Sequence, residues 1–383
     1  MLIAFYAPMK SPEHSVPSGD RRMAQLLMQA MDHGGHQIHL ASQHRAYDGT
    51  GDAESQAAIK QEGDRQAMGL LDAYAAGKIE APKLWFSYHL YHKAPDWIGP
   101  RVSEALNIPY VIAEASYAAK QSGGPWDQGL RASERAIGMA SMVISLNPTD
   151  DGCVAPFLRP GARIAQLSPF IDTQPYASAA RERTVYRAMT AGQYNIDPSV
   201  PWLMCVAMMR PGDKLQSYEC LGQSLAKVGA LAKIQDRPWN LLVVGDGPAR
   251  DQVKDALSPV ADRVHWIGAQ DIESLPGIYA ACDLYVWPAI NEAFGMAFVE
   301  AQAAGLAVVA GNVGGVSGVV NAPECGTLVE PGNTDQMAQA IADLLDDTGK
   351  LQTMSDRAQQ HTWQHHGLNG AAQSLNHLLA EVT

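Results

Sequence analysis

The chain has 383 residues, 46% apolar and 18% charged, with a formal net charge of −12; this supplies a core for two or three domains and argues against nucleic acid as a partner, which needs clustered Lys and Arg. No run approaches the roughly 18 apolar residues of a membrane-spanning helix. The five cysteines, at 153, 205, 220, 282 and 325, are scattered without CxxC spacing, which fits a reducing compartment and gives neither a disulfide frame nor a structural zinc site.

In chain order, "MLIAFYA" has no basic region ahead of its short apolar run and reads as a first strand, not a signal peptide. Residues 20–33 place Met23, Leu26, Leu27, Ala30 and Met31 at helical spacing. "HQIHLAS", "KLWFSYH", "PYVIAEA" and "MVISLN" follow as strands, with helical segments between them. After "SPFID" (168–172) comes a stretch, 173–200, that reads as a linker with one short helix. The scheme then repeats with "PWLMCVAMM", "WNLLVVG", "RVHWIGA", "DLYVWPA", "LAVVAGN" and "GTLVEPG". Strands alternating with helices predict parallel sheets of βαβ units, and about a dozen strands are too many for one ordinary sheet. The expected fold is α/β with two doubly wound, Rossmann-like domains, 1–172 and 201–360. The tail 361–383 is helical. Its His361, His365 and His366 lack a carboxylate or Cys at compatible spacing, so a solvated helix face is the expectation and no metal site is assigned.

Three strand ends carry candidate chemistry. In "VAMMRPGDKLQSY", Arg210 and Lys214 follow a buried strand, where such folds bind ligands; taken alone, two solvated loop charges account for them equally well. In "NLLVVGDGP", Gly245 opens a strand–turn–helix unit suited to phosphate, although Arg250 stands where a dinucleotide fingerprint needs its third Gly, and a tight structural turn accounts for it equally well. In "INEAFGMAFVEAQAAG", a helix begins near Phe294, Gly295 and Met296. Glu292 lies just ahead of its positive end and Glu300 lies two turns in. A carboxylate can take two vicinal hydroxyls, so a sugar or ribose is a natural partner.

Taken together, Arg210 and Lys214, "GDGP" (245–248), "WIG" (266–268), "YAACD" (279–283), Glu292-x7-Glu300 with Phe-Gly inside, and "AGLAVVAGNVGG" resemble the retaining family 4 glycosyltransferases of GT-B fold over residues 201 to about 345. The resemblance implies two Rossmann-like domains with an interdomain cleft. The C-terminal domain would bind a nucleotide-diphosphate sugar, and the last helix would pack back on the N-terminal, acceptor-side domain. It implies that Glu300 holds ribose hydroxyls, Glu292 sits beside the transferred sugar, and Arg210 and Lys214 neutralise the departing diphosphate. The Phe294–Met296 backbone and Gly245 would approach the sugar and phosphates, and main chain near Ile267 and Gly268 would read the base. No metal or other cofactor is implied. In the N-terminal half, "VPSGDRR" keeps only Gly19 of the family's Gly-Gly loop. Ala115 stands where the family commonly has His, so the acid–base group on the acceptor side stays open, with His89 the candidate.

The expected activity is transfer of a sugar to a hydroxyl on a glycan, glycolipid or small molecule, in the cytoplasm or peripherally at the inner membrane face. An epimerase or hydrolase of the same fold, or a non-catalytic sugar-nucleotide scaffold, are the alternatives. Base, sugar, acceptor and oligomeric state are not legible in the residues.

Overall fold

Buried apolar runs joined by amphipathic crossovers pair in parallel because each crossover returns the chain to the same end of the sheet. The computed structural model describes all residues except 17, 232, 233, 235, 236, 293 and 294. It divides into two compact units, Met1–Ser168 with Leu368–Thr383, and Pro169–Gly367.

The first unit contains β1 (Leu2–Tyr6), α1 (Gly19–His33), β2 (Gln37–Ser42), α2 (Ala53–Ala75), β3 (Leu84–Leu90), α3 (Gly99–Leu106), β4 (Tyr110–Ala115), α4 (Asp127–Met139), β5 (Met142–Ser145), the short α5 (Asp151–Val154) and β6 (Arg163–Gln166). Its strands are parallel in the order β2-β1-β3-β4-β5-β6. Strand β6, "RIAQ", escapes the sequence pattern. It is a four-residue edge strand that buries one side chain on one face, too short and polar for an apolar run.

The second unit contains α6 (Gln174–Arg181), α7 (Arg183–Tyr194), β7 (Trp202–Val206), α8 (Asp213–Ala230), β8 (Asn240–Val244), α9 (Arg250–Ala256), β9 (Val264–Gly268), α10 (Leu275–Ala281), β10 (Leu284–Trp287), α11 (Met296–Ala303), β11 (Ala307–Gly311), β12 (Gly326–Val329), α12 (Thr334–Asp346) and α13 (Thr348–His365). The strand order is β12-β11-β10-β7-β8-β9, the 3-2-1-4-5-6 order of dinucleotide-binding sheets when read from β9. Central strands β8, β10 and β11 are buried along nearly their whole length, as expected where helices cover both faces.

The stretch 173–200, read as a linker, is instead two helices bolted to the second sheet. Arg183 and Arg187 pair with Asp283 at 2.6 and 3.0 Å. The same carboxylate accepts the Trp202 N–H at 2.7 Å, and Arg187 stacks on the Trp202 ring at 4.3 Å. A partly buried carboxylate shared by two guanidiniums and an N–H fixes geometry more than a solvated pair does. Helix α14 (Leu368–Ala380) belongs to the first unit and packs along α1. There Asn376 bridges His36 at 2.7 Å and the Gly34 carbonyl at 2.8 Å. The tail is less solvated than expected. His366 is buried and shares a 2.7 Å hydrogen bond with the Pro169 carbonyl, and burial lowers its pKa to about 4. Among the described residues no helix is long and apolar enough to cross a membrane.

Candidate functional site

In open parallel sheets, ligands bind beyond the carboxyl ends of strands where the strand order reverses. In the second unit that point lies between β7 and β10; the loops leaving these two strands carry Arg210 and Glu292, and Lys214 stands in the first turn of α8. Lys214 Nζ lies 2.6 Å from Glu292 Oε2, with both side chains about one-fifth exposed. The ammonium also lies 5.5 Å from the Trp287 ring centroid, and Trp287 packs edge-on against Tyr218 of α8. The first turns of α8 hold the loop after β10. Ser217 Oγ accepts the Ile290 N–H at 3.0 Å, and Asn291 Nδ2 donates to Asp213 at 2.7 Å. The Gly315 N–H donates to the Glu292 carbonyl at 3.4 Å, closing the loop after β11 on the same residue. Arg210 is exposed, and its guanidinium has no hydrogen bond or ion pair among the described residues.

Gly295 caps α11 with φ 69° and is buried. A Cβ there would fall 2.7 Å from the Phe298 ring and 3.1 Å from Val319, so conformation and space both require glycine. Met296 begins the helix, whose first N–H groups lack a side-chain cap. Phe294 lies outside the described residues. Glu300 is partly exposed on α11, and its Oε2 accepts from the buried Tyr279 hydroxyl at 3.0 Å.

The glycines of the neighbouring turn have a purpose internal to the fold. A Cβ on Gly245 would lie 2.0 Å from the Ala207 carbonyl oxygen, and one on Gly247 would lie 2.3 Å from that of Met209. The loops after β7 and β8 are joined there, the Met209 N–H donating to Asp246 at 3.0 Å and the Ala249 N–H to Met209 at 2.9 Å. Gly245 thus shapes the loop that bears Arg210. Ile267 is buried, leaving only its main chain to a ligand, while Gly268 takes φ 77° with open space around its Cα.

In the first unit the strand order reverses between β1 and β3. His89, at the end of β3, shares a 2.7 Å hydrogen bond through Nδ1 with Asp20 of α1. Burial pushes Asp20 up, but the His89 hydrogen bond and charge outweigh it and hold the carboxyl below its usual range. Glu114 stands on β4 between Ala113 and Ala115, which pair with Tyr88 and Leu90 on either side of His89. Its carboxylate accepts from the Leu146 N–H and, at 3.1 Å, from the Asn147 N–H. Burial still raises its pKa to about 7. Gly19 is exposed at the start of α1 with nothing within 4 Å of its Cβ direction, and Ser18 caps that helix by accepting the Arg21 N–H at 3.2 Å.

Backbone strain marks the same places. Among the described residues six non-glycine residues have positive φ. Asn107 and Asn195 are left-handed helix caps. The other four, His89, Glu114, Ala289 and Asn291, all lie at or just past the carboxyl ends of strands, where stored strain accompanies function. Sequence reasoning missed Asp20, Glu114 and Tyr279 as site residues. The usable signal for Glu114 was a lone carboxylate inside an otherwise apolar strand, "PYVIAEA".

Two parallel six-stranded sheets with helices on both faces are the GT-B fold. Anabaena HepE in complex with UDP has the same fold, with a TM-score of 0.69, 19% identity and full coverage of both chains. Residues 223–361 match the family described as glycosyl transferases group 1. D-inositol 3-phosphate glycosyltransferase of Rhodococcus jostii is 30% identical over 202 residues, 50% of this chain and 44% of the relative. That of Salinispora arenicola is 26% identical over 321 residues, 76% of this chain and 69% of the relative. The first match therefore spans less than half of the relative's length. Over residues 223–361 the chain is thus similar to the group 1 glycosyl transferases.

Proposed function

We propose that this protein is a retaining glycosyltransferase that moves a sugar from a nucleotide-diphosphate sugar to a hydroxyl acceptor. The observation that carries this reading is the Lys214–Glu292 pair at the switch point of the second sheet, with Arg210, unpartnered among the described residues, on the loop after β7. Arg210 and Lys214 take the diphosphate, and the uncapped start of α11 adds its dipole. Charge developing on the leaving phosphate is the main thing to stabilise as the sugar becomes oxocarbenium-like. In this reading the two cations do the work that a divalent ion does elsewhere, so turnover survives chelation. The acceptor oxygen attacks from the face the phosphate leaves, and the phosphate takes the proton. Glu300, oriented by Tyr279, accepts from the ribose hydroxyls, while Glu292 partners Lys214 until the donor arrives and then faces the transferred sugar. The UDP complex of a protein with the same fold and the sugar-transfer names of the relatives support the reading.

The test is incubation with nucleotide-diphosphate sugars, with and without polyol and sugar acceptors, combined with two variants. Glu300→Gln should weaken nucleoside-diphosphate binding by roughly 30-fold, the loss of charge-assisted hydrogen bonds. Glu292→Gln should lower turnover and leave that affinity within a few-fold. Acceptor-independent release of free sugar would identify a hydrolase, and binding without turnover a scaffold. Equal loss of diphosphate affinity in both variants would sink the division of roles.

A further inference from the structure

At the switch point of the first sheet, the loop between β1 and α1 gathers cations without pairing them. Arg21 Nε donates to the Pro12 carbonyl at 3.2 Å, and Arg45 Nε donates to the Met9 carbonyl at 3.3 Å. Both carbonyls belong to one four-residue stretch, and Lys10 stands between them. None of the three cations forms an ion pair among the described residues, and the terminal nitrogens of both guanidiniums make no hydrogen bond there. Two carboxylates neighbour these residues in the chain, Asp20 next to Arg21 and Glu13 next to Pro12. Asp20 is engaged by His89, and the exposed Glu13 accepts from Gln43 at 2.5 Å. Burial lowers the pKa of Lys10, and Arg45 and Arg21 lower it further against the opposing pull of Asp20. Like charges gathered at a strand end, in a chain of net charge −12, repel one another until an anion joins them.

We propose that Lys10, Arg21 and Arg45 form an anion subsite that receives a phosphate group carried by the acceptor. The inference rests on the glycosyltransferase reading and narrows it: the hydroxyl acceptor is a phosphate-bearing molecule, not a neutral glycan. Arg45 also lies 4.8 Å over the Tyr47 ring, which leaves the terminal nitrogens of both guanidiniums for bidentate contact with phosphate oxygens, and Lys10 adds a point charge. The donor diphosphate has its own cations in Arg210 and Lys214 on the other unit.

Calorimetric titration of the full chain at low ionic strength tests this, with inorganic phosphate, glycerol 1-phosphate and glycerol as probes. Three proteins are compared: wild type, the Lys10→Gln/Arg45→Gln double variant and the Arg210→Gln/Lys214→Gln double variant. Both phosphates should bind wild type and Arg210→Gln/Lys214→Gln, and weaken about tenfold or more in Lys10→Gln/Arg45→Gln, whereas glycerol should not bind. Lys10→Gln alone, which leaves both carbonyl contacts intact, should give a smaller loss in the same direction and guards against misfolding of the double variant. Sedimentation with phosphatidylglycerol against phosphatidylcholine vesicles separates the sources. Charge-selective capture that disappears in Lys10→Gln/Arg45→Gln assigns the phosphate to a lipid headgroup, and binding of glycerol 1-phosphate without capture assigns it to a soluble acceptor. Phosphate affinity retained in Lys10→Gln/Arg45→Gln and lost in Arg210→Gln/Lys214→Gln would overturn the proposal, as would no binding of either phosphate to wild type. Parallel titrations with UDP and GDP keep the two readings apart: their failure counts against the donor site, and failure of the phosphates counts against the subsite.

Discussion

At its switch point the second unit leaves Arg210 free among the described residues but pairs its other charges and ties its loops together. Lys214 meets Glu292, Asn291 meets Asp213, and the turns after β7 and β8 share backbone hydrogen bonds across glycines that admit no side chain. The first unit does the opposite at the equivalent strand ends. It leaves Lys10, Arg21 and Arg45 unpaired among the described residues, buries a carboxyl at Glu114 whose charge is costly, and carries a glycine at position 19 with open space around it. The contrast teaches how one architecture serves two needs. In the proposed reading, a donor with a fixed phosphate core meets a surface braced in advance, whereas the other unit offers cations that await a counter-charge.

The largest expected difference between the units is in pH dependence. Glu114 rises from 4.5 to about 7 on folding, so the stability it contributes is complete below pH 4.5 and is lost as pH rises through about 7. His366 falls from 6.5 to about 4, so its contribution is complete above pH 6.5 and is lost as pH falls through about 4. Each amounts to about 3 kcal/mol, with opposite sign. Urea denaturation between pH 4 and 7.5 should show Glu114→Gln removing the decline on the alkaline side and His366→Asn removing the decline on the acid side. Identical pH profiles for the two variants would erase the contrast.

Gly245→Ala should come next, destabilising by roughly 2 to 3 kcal/mol. A methyl group 2.0 Å from the Ala207 oxygen forces the two loops apart. An unchanged melting transition would show that the second unit is less braced than its hydrogen bonds indicate. Arg210→Ala, at an exposed side chain unpartnered among the described residues, should leave stability alone and cut turnover about 10- to 100-fold by removing the proposed charge-assisted contact to diphosphate. Unchanged nucleoside-diphosphate affinity in that variant would remove Arg210 from the donor site. The smallest expected effect belongs to Gly19→Ala. With no atom within 4 Å and no positive φ, it should change stability by no more than about 0.5 kcal/mol. A fall in turnover at unchanged stability would sharpen the comparison, because the glycine would then be serving a ligand and not the fold.

Sequence alone determined the alternation of strand and helix, the parallel sheets and the loops where chemistry gathers, because burial on both faces writes continuous apolar runs and βα turns write glycine. It also placed Arg210, Lys214, Glu292 and Gly295 just past strand ends, where strand–loop–helix geometry puts them; that the two segments adjoin follows from the β7–β10 pairing. Tertiary structure decided what local pattern cannot hold. Edge strand β6 has no apolar run to announce it. The stretch 173–200 became two helices of the second unit because Asp283, about 100 residues further on, captures Arg183 and Arg187. Asp20 and His89 lie 69 positions apart and meet only because β1 and β3 are neighbours in the sheet. The β3–β4 pairing brings Glu114 alongside His89, and the β1–β2 pairing folds Arg45 onto the loop that holds Lys10. Contacts between residues far apart in the chain depend on strand order, and strand order is chosen by the packing of the whole sheet.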